Sequence, residues 1–397
     1  MRDGTTHGSD ICMLPRERVL TALEHKEPDR VPIDLAGTVV SGIHVVAYGN
    51  LMRAMGLHRE YNIVDIVQQL ASPDEEILRR FNSDFRAICM RPPRTWEFRE
   101  HASDSGRPYF VDEWGVKWGK NPYYYDMIDH PLKDATIKVL EEYPWPDPRA
   151  PGRTEGLKEE AENLYRHSDF AIVAGMAGPI ATGGLFEQAW WLRGFEKFLV
   201  DLVIRPEFAN ALLDKILDVH IQCYKEYLSV VGEYVQVIEW GDDYGMQTGP
   251  LLSPAVFRKY FKPRIRKFLD IVKSKTDAKI FLHSCGSVYP FIEDLVEAGV
   301  DILNPVQPLA KDMDHSRLKR QFGTRLSFHG GLDIQQLLPR GTPGDVTDGA
   351  KRVIGDLAPG GGYVFAAAHN IQADVPPENI QAMFDAAKEH GTYPLHI

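Results

Sequence analysis

His283 and Cys285 stand two residues apart at the end of the apolar run Ala278-Lys279-Ile280-Phe281-Leu282. The run is short, apolar and bounded by turn formers, which predicts a buried β-strand. On an extended segment, residues i and i+2 point to the same side. An imidazole and a thiol therefore leave this strand together. Nitrogen and sulfur donors at roughly 2.0–2.3 Å are what zinc takes. Two donors do not complete a site. Glu239 ends a second apolar run, Val235-Gln236-Val237-Ile238, and His369 ends a third, Tyr363-Val364-Phe365-Ala366-Ala367-Ala368. Brought to one mouth, Glu239, His283, Cys285 and His369 make an O/N/S/N set suited to zinc. Each also has a plainer reading when taken singly. A lone His or Glu at a strand end is usually satisfied by local hydrogen bonds, and a lone Cys is usually a small buried apolar residue. The His-x-Cys pair is harder to dismiss in that way.

Other polar groups fall at comparable places. Asp34 lies near the end of the run 31–35 and is a candidate catalytic residue, as is Glu239, which can serve as an acid instead of a ligand. His329, before Gly330-Gly331, reads as a loop or substrate residue. Asp242 and Asp243 read as hydrogen-bonding groups. Gly360-Gly361-Gly362 precedes a strand, not a helix, so it is a tight turn and not a phosphate cradle. Aromatic residues cluster at 114–125 (Trp114, Trp118, Tyr123, Tyr124, Tyr125) and near other strand ends (Trp190, Trp191, Trp240, Tyr244). Such rings can cover an apolar or aromatic ligand. Trp118, Tyr124, Trp240, Tyr244 and His329 are the substrate-binding candidates; packing beneath a lid is the competing use of the aromatics.

The elements that must position these residues alternate. Strand-like runs fall at 31–35, 85–89, 171–176, 235–239, 279–283, 301–305, 325–329 and 363–367. Helical patterns lie between most of them, at 206–230, 254–276, 290–298 and 377–390, and Pro377 suits a first helical position. Eight strands alternating with helices predict an α/β fold, a single (β/α)8 TIM barrel, whose active site lies at the C-terminal strand ends. A β-hairpin-like insert at 107–125 is expected at the rim, and residues 1–14 are expected to form a disordered tail ahead of one domain, 15–397. With 45 basic and 56 acidic side chains the net charge is −11, which argues against nucleic acid or an anionic membrane as partner. No apolar run reaches 18 residues and the first ten are polar, so neither a signal peptide nor a membrane span is expected. Cys12, Cys89, Cys223 and Cys285 are too scattered for a disulfide framework, which fits a reducing cytoplasm.

From about Pro15 to His390 the chain resembles the uroporphyrinogen decarboxylase superfamily. The resemblance rests on Glu17-Arg18-Val19-Leu20-Thr21-Ala22-Leu23 with Asp29-Arg30-Val31-Pro32, on Gly241-Asp242-Asp243 through Ser253-Pro254, on the stretch 281–286, and on Ala358-Pro359-Gly360-Gly361-Gly362 through Pro377-Glu378-Asn379. Within it the chain looks more like the zinc-dependent methyltransferases of corrinoid systems than like the decarboxylase. The decarboxylase grips substrate carboxylates with an Arg-Gln-Ala-Gly-Arg stretch, where this chain has Ile33-Asp34-Leu35-Ala36-Gly37. The methyltransferases carry His-x-Cys after the fifth strand, matched by His283 and Cys285, and a further Cys after the last, where His369 stands here. The resemblance implies a zinc-dependent methyltransferase moving a methyl group from a methoxylated small molecule, aromatic ones included, to cobalamin. No Asp-x-His-x-x-Gly signature is present, so the cobalamin is expected on a separate corrinoid protein. The alternatives are a decarboxylase of a carboxylated ring, with Asp34 as its polar catalytic residue, and a non-catalytic ligand-binding barrel.

Overall fold

The computed structural model describes residues 12–103, 106–176 and 183–397. Residues 1–11 of the expected tail lie outside them; Met13 already donates its N–H to Asp29 at 2.9 Å. Seven parallel strands pair in chain order: β1 (Phe85–Ile88), β2 (Ala171–Ala174), β3 (Val237–Gly241), β4 (Lys279–His283), β5 (Ile302–Asn304), β6 (Ser327–His329) and β7 (Tyr363–Val364). The extended segment 31–35 closes the ring. On the β1 side, Asp84 N–H donates to Ile33 O at 2.8 Å. On the β7 side, Asp34 N–H donates to Phe365 O at 2.9 Å and Phe365 N–H to Pro32 O at 2.8 Å. The expected barrel is thus present, with Pro32 breaking the regular ladder of its first member.

Strand parity sorts the side chains. Phe85, Ala171, Val173, Val237, Phe281, Ile302 and Val364 form one cluster inside the ring. Val19 and Leu23 of α1 (Pro15–Leu23) join it from the N-terminal face, where Gly362 N–H, just ahead of β7, donates to Ala22 O. The alternate residues face the helices, which is why these strands read as continuous apolar runs. The outer layer includes α2 (Leu185–Arg193), α3 (Pro206–Val231) and α4 (Lys262–Lys273). The expected single helix at 254–276 is instead a turn of α-helix at Pro254–Val256, a π-turn at Phe257–Phe261, and α4. Pro263 is the cause: it has no N–H and crowds the carbonyl four residues back. The bond shifts by one residue, so that Lys262 N–H reaches Phe257 O.

The insert is larger than a hairpin. Strands His101–Ala102, Pro108–Val111, Lys117–Lys120 and Tyr125–Asp129 form a four-stranded antiparallel sheet. Asp112 organises its central turn, accepting from Trp114 N–H at 2.9 Å, Val116 N–H at 2.8 Å and Trp118 Nε1 at 2.8 Å. Tyr125 N–H donates to Val67 O at 3.0 Å and a ring nitrogen of His44 meets Tyr123 O at 2.9 Å. Tyr124 Oη bonds Gln372. These contacts fix the sheet to the same rim as the C-terminal strand ends. Among the described residues no helix is long and apolar enough to cross a membrane.

Candidate metal centre and substrate cavity

His283 ends β4, level with Gly241 on β3 and Asn304 on β5. The chain then turns sharply. Gly286 has φ +78°, and a Cβ there would lie 2.5 Å from the Gly245 carbonyl carbon. Only glycine fits that approach, and it aims Cys285 back at His283. Asp243 Oδ1 accepts from Cys285 N–H at 2.7 Å and steadies the turn. His369 comes from the loop after β7. Asn370 holds that loop, its Oδ1 accepting from Gly42 N–H at 2.6 Å and its Nδ2 donating to Gln68 at 2.8 Å.

Donor atoms of His283, Cys285 and His369 all lie within 4.8 Å of one another. Cys285 Sγ is 3.3 Å from His283 Nε2, and the two imidazole rings are 5.1 Å apart at 74°. Burial, with His283 beside it, pushes His369 down to about 3, so its ring is neutral. Burial, with the carboxylates of Asp243 and Glu187, pushes the Cys285 thiol well up. A metal that replaces the thiol proton relieves that penalty. The N/S/N set fits zinc. His283 Nδ1 meets Asn304 Oδ1 at 2.6 Å, which turns Nε2 toward Cys285 Sγ and Asp243 Oδ1, the latter at 3.6 Å. His369 Nδ1 accepts from Asn370 N–H at 2.7 Å, a bond that a metal on either of its nitrogens would displace.

A cavity of about 200 Å³ adjoins this centre. Its lining joins His283, His369, Asp243 and Glu187 to Trp118, Trp190, Trp191 and Met127. Burial and the neighbouring Asp243 and Asp242 push the Glu187 carboxyl well above its ordinary range. Asp242 lies deeper and caps α2: it accepts from Phe186 N–H at 3.0 Å and Glu187 N–H at 2.9 Å. Among the described lining residues there is no lysine or arginine, and the stretch 177–182, Ala-Gly-Pro-Ile-Ala-Thr, contains none. Met176 separates this cavity from a larger hollow of about 520 Å³. The arginines there, Arg86 and Arg91, are paired with Glu75 and Glu160.

The remaining expected site residues are distributed as follows. Glu239 lies inside the ring, where Val39 N–H donates to Oε1 at 3.0 Å and Met176 N–H to Oε2 at 3.3 Å. It is not among the converging donors. Burial above all pushes its pKa up to about 8. Asp34 and His329 are also interior, with Asp34 Oδ2 at 3.0 Å from His329 Nε2. Trp118 lines the cavity. Tyr124 is on the rim, held by Gln372. Trp240 shares the outward parity of Ile238 and packs on Phe268 of α4 at 5.3 Å. Tyr244 is fully buried among Phe186, Phe257, Phe261 and Phe291, its hydroxyl on Asp242. Neither of these two reaches the cavity. Asn304 and Glu187 escaped the sequence reading. Asn304 was findable as the polar end of the run after β4. Glu187 sits in an apolar helix and carries no local signal.

A family model described as uroporphyrinogen decarboxylase (URO-D) matches residues 127–390. A uroporphyrinogen decarboxylase from Magnetococcus marinus is 23% identical over 47% of this chain and 49% of its own. The chain spans about half the length of that relative. The methylcobamide:CoM methyltransferase MtbA of Methanosarcina acetivorans is 24% identical over 70% of this chain and 75% of its own. A solved methyltransferase from Methanosarcina mazei matches 95% of this chain and 99% of its own at 20% identity, with a TM-score of 0.63, a likeness of fold.

Proposed function

The chain belongs to the uroporphyrinogen decarboxylase family, and from that premise we propose that it is a substrate-side methyltransferase of a corrinoid system. It moves a methyl group from a methoxylated small molecule, aromatic ones included, to the cobalamin of a separate corrinoid protein. The observation that carries this reading is the convergence of His283, Cys285 and His369 beside a cavity whose described lining has tryptophans and no lysine or arginine. A carboxylated ring would find no lysine or arginine among the described lining residues, which disfavours the decarboxylase reading. The similarity to an enzyme named methylcobamide:CoM methyltransferase supports the corrinoid side.

His283, Cys285 and His369 would hold zinc, with solvent or substrate in the remaining position. Zinc supplies Lewis acidity to an ether oxygen. The chain's own groups do the rest. Trp118, Trp190 and Trp191 grip an apolar or aromatic body and exclude water. Glu187, whose carboxyl burial and the neighbouring Asp243 and Asp242 push well above its ordinary range, faces the same cavity and is placed to hydrogen-bond the departing oxygen. Glu239, protonated at neutral pH, fastens the segments that carry Val39 and Met176.

The test is direct. Purified protein, a reduced corrinoid and a panel of methoxyarenes should yield methylcobalamin, with uncharged donors outperforming carboxylated ones. Decarboxylation of a carboxylated ring without any methyl transfer would overturn the proposal.

A further inference from the structure

We propose that Asn304, His329 and Asp34 form one hydrogen-bonded line of positioning residues that fixes which nitrogen of His283 faces the metal. The proposal takes the three-donor centre as its starting point. His283 ends β4, Asn304 lies level with it at the end of β5, and His329 ends β6. Asp34 belongs to the closing segment, across β7. The line therefore runs around the inside of the barrel mouth. Its links are His283 Nδ1 to Asn304 Oδ1 at 2.6 Å, Asn304 Nδ2 to His329 Nδ1 at 2.8 Å, and His329 Nε2 to Asp34 Oδ2 at 3.0 Å. Gly37 N–H occupies the other Asp34 oxygen at 2.8 Å.

The chemistry of the amide gives the line a direction. One end of an asparagine side chain only accepts and the other only donates. The end near His329 also lies 3.4 Å from the His329 carbonyl oxygen, where an amide oxygen would be repelled, so it is the NH₂. His329 Nδ1 must then accept, and its proton sits on Nε2, donated to Asp34. At the other end Asn304 Oδ1 accepts from His283 Nδ1–H, and the His283 Nε2 lone pair faces Cys285 Sγ at 3.3 Å, on the side where the donors converge. Reversing His283 would break the chain at Asn304. Relative exposures are 0% for Asn304, 1% for Asp34, 2% for His329 and 6% for His283. At that burial each link is costly to lose. Phe281, packed on the His329 ring at 5.0 Å, closes off the flank. A metal-ligating histidine commonly gives its second N–H to a carboxylate or carbonyl; here the carboxylate is reached through two intermediate side chains.

The experiment compares His329→Leu with His329→Gln in the full-length protein. Glutamine can accept from Asn304 and donate to Asp34 in the same order; leucine can do neither. Zinc affinity, measured by competition with a chromophoric chelator, should fall roughly 10–100-fold in His329→Leu and largely recover in His329→Gln. Equal affinities in all three proteins, or equal losses in both variants, would overturn the proposal. Nitrogen-15 spectra of the metal-free protein give a second readout. They should show His283 protonated on Nδ1 in the wild type and a mixture of tautomers in His329→Leu. A wild-type His283 protonated on Nε2 refutes the line even if the variants fail to fold. If the wild type takes up no zinc, the metal reading fails, and the spectra still decide the line.

Discussion

His283 and His369 differ in what a metal asks of them. The first already turns an unprotonated nitrogen toward its fellow donor Cys285; the second must give up its bond to Asn370 N–H. Zinc content of freshly purified protein should approach one per chain. Cys285→Ser and His369→Ala should each strip the metal and abolish methyl transfer, while circular dichroism shows an intact barrel, because a core of this size does not depend on one ion. Glu239 supplies a different test. Its folded pKa, about 8, lies above the ordinary 4.5. The folded state therefore binds the proton more tightly, and the stabilisation is complete below about 4.5 and lost as the pH rises through about 8. Thermal melts across that range should show wild-type stability declining more steeply than that of Glu239→Gln. Parallel curves would show that the carboxyl contributes no such slope.

At the scale of elements, the insert separates two tryptophans that the sequence could not distinguish. Trp118 is 3% exposed and bonded to Asp112. Removing it leaves a hole in the sheet, so Trp118→Ala should cost about 3–5 kcal/mol in chemical denaturation. Trp190 is only partly buried and lines the cavity from α2. Trp190→Ala should raise KM severalfold with little change in Tm; an unchanged KM would remove α2 from substrate binding. The legibility of the sequence followed the same division. Strand β4 was read at its full span because apolar residues and turn formers bracket it, and β3 only two residues out of step. The convergence of His283, Cys285 and His369 is legible because strand ends in a barrel share a mouth. Trp240 and Tyr244 are expected at the pocket only for lying near a strand end, but Trp240 has the outward parity opposite to Glu239, and Tyr244 lies past the strand in a turn that buries it among phenylalanines. The π-turn before α4 was foreshadowed only by Pro263, a signal that equally permits a simple break. The extra strands of the insert are two to five residues long, too short to show a period.

For the whole molecule, the motif residues near the N-terminus act as a clasp on the barrel's floor. Arg18 Nε reaches Asp29 at 2.6 Å and its Nη1 reaches Asp84 at 2.7 Å, while Arg30 Nη1 also meets Asp84 at 2.8 Å. The Arg18 and Asp84 side chains are 4% and 1% exposed. Arg18→Ala removes charged hydrogen bonds from both carboxylates while Arg30 keeps its hold on Asp84, so it should lower unfolding free energy by about 1.5–3 kcal/mol, as read by urea denaturation. Burial alone would raise Asp29, but the hydrogen bonds from Arg18 and from Met13 N–H outweigh it and hold the carboxyl below its ordinary range. That part of the clasp's stability is present at neutral pH and is lost as acid protonates Asp29. The donor set has its own relation to the ring. His283 ends β4 and Cys285 lies in the turn just after it, whereas His369 follows β7, three strands later, beside the seam made by 31–35. If these residues hold an ion as proposed, the three donors would be complete only with β7 docked on the segment 31–35. Ring closure and tight binding would then be coupled, and a chelator present during refolding should slow recovery of the fold more than one added afterwards.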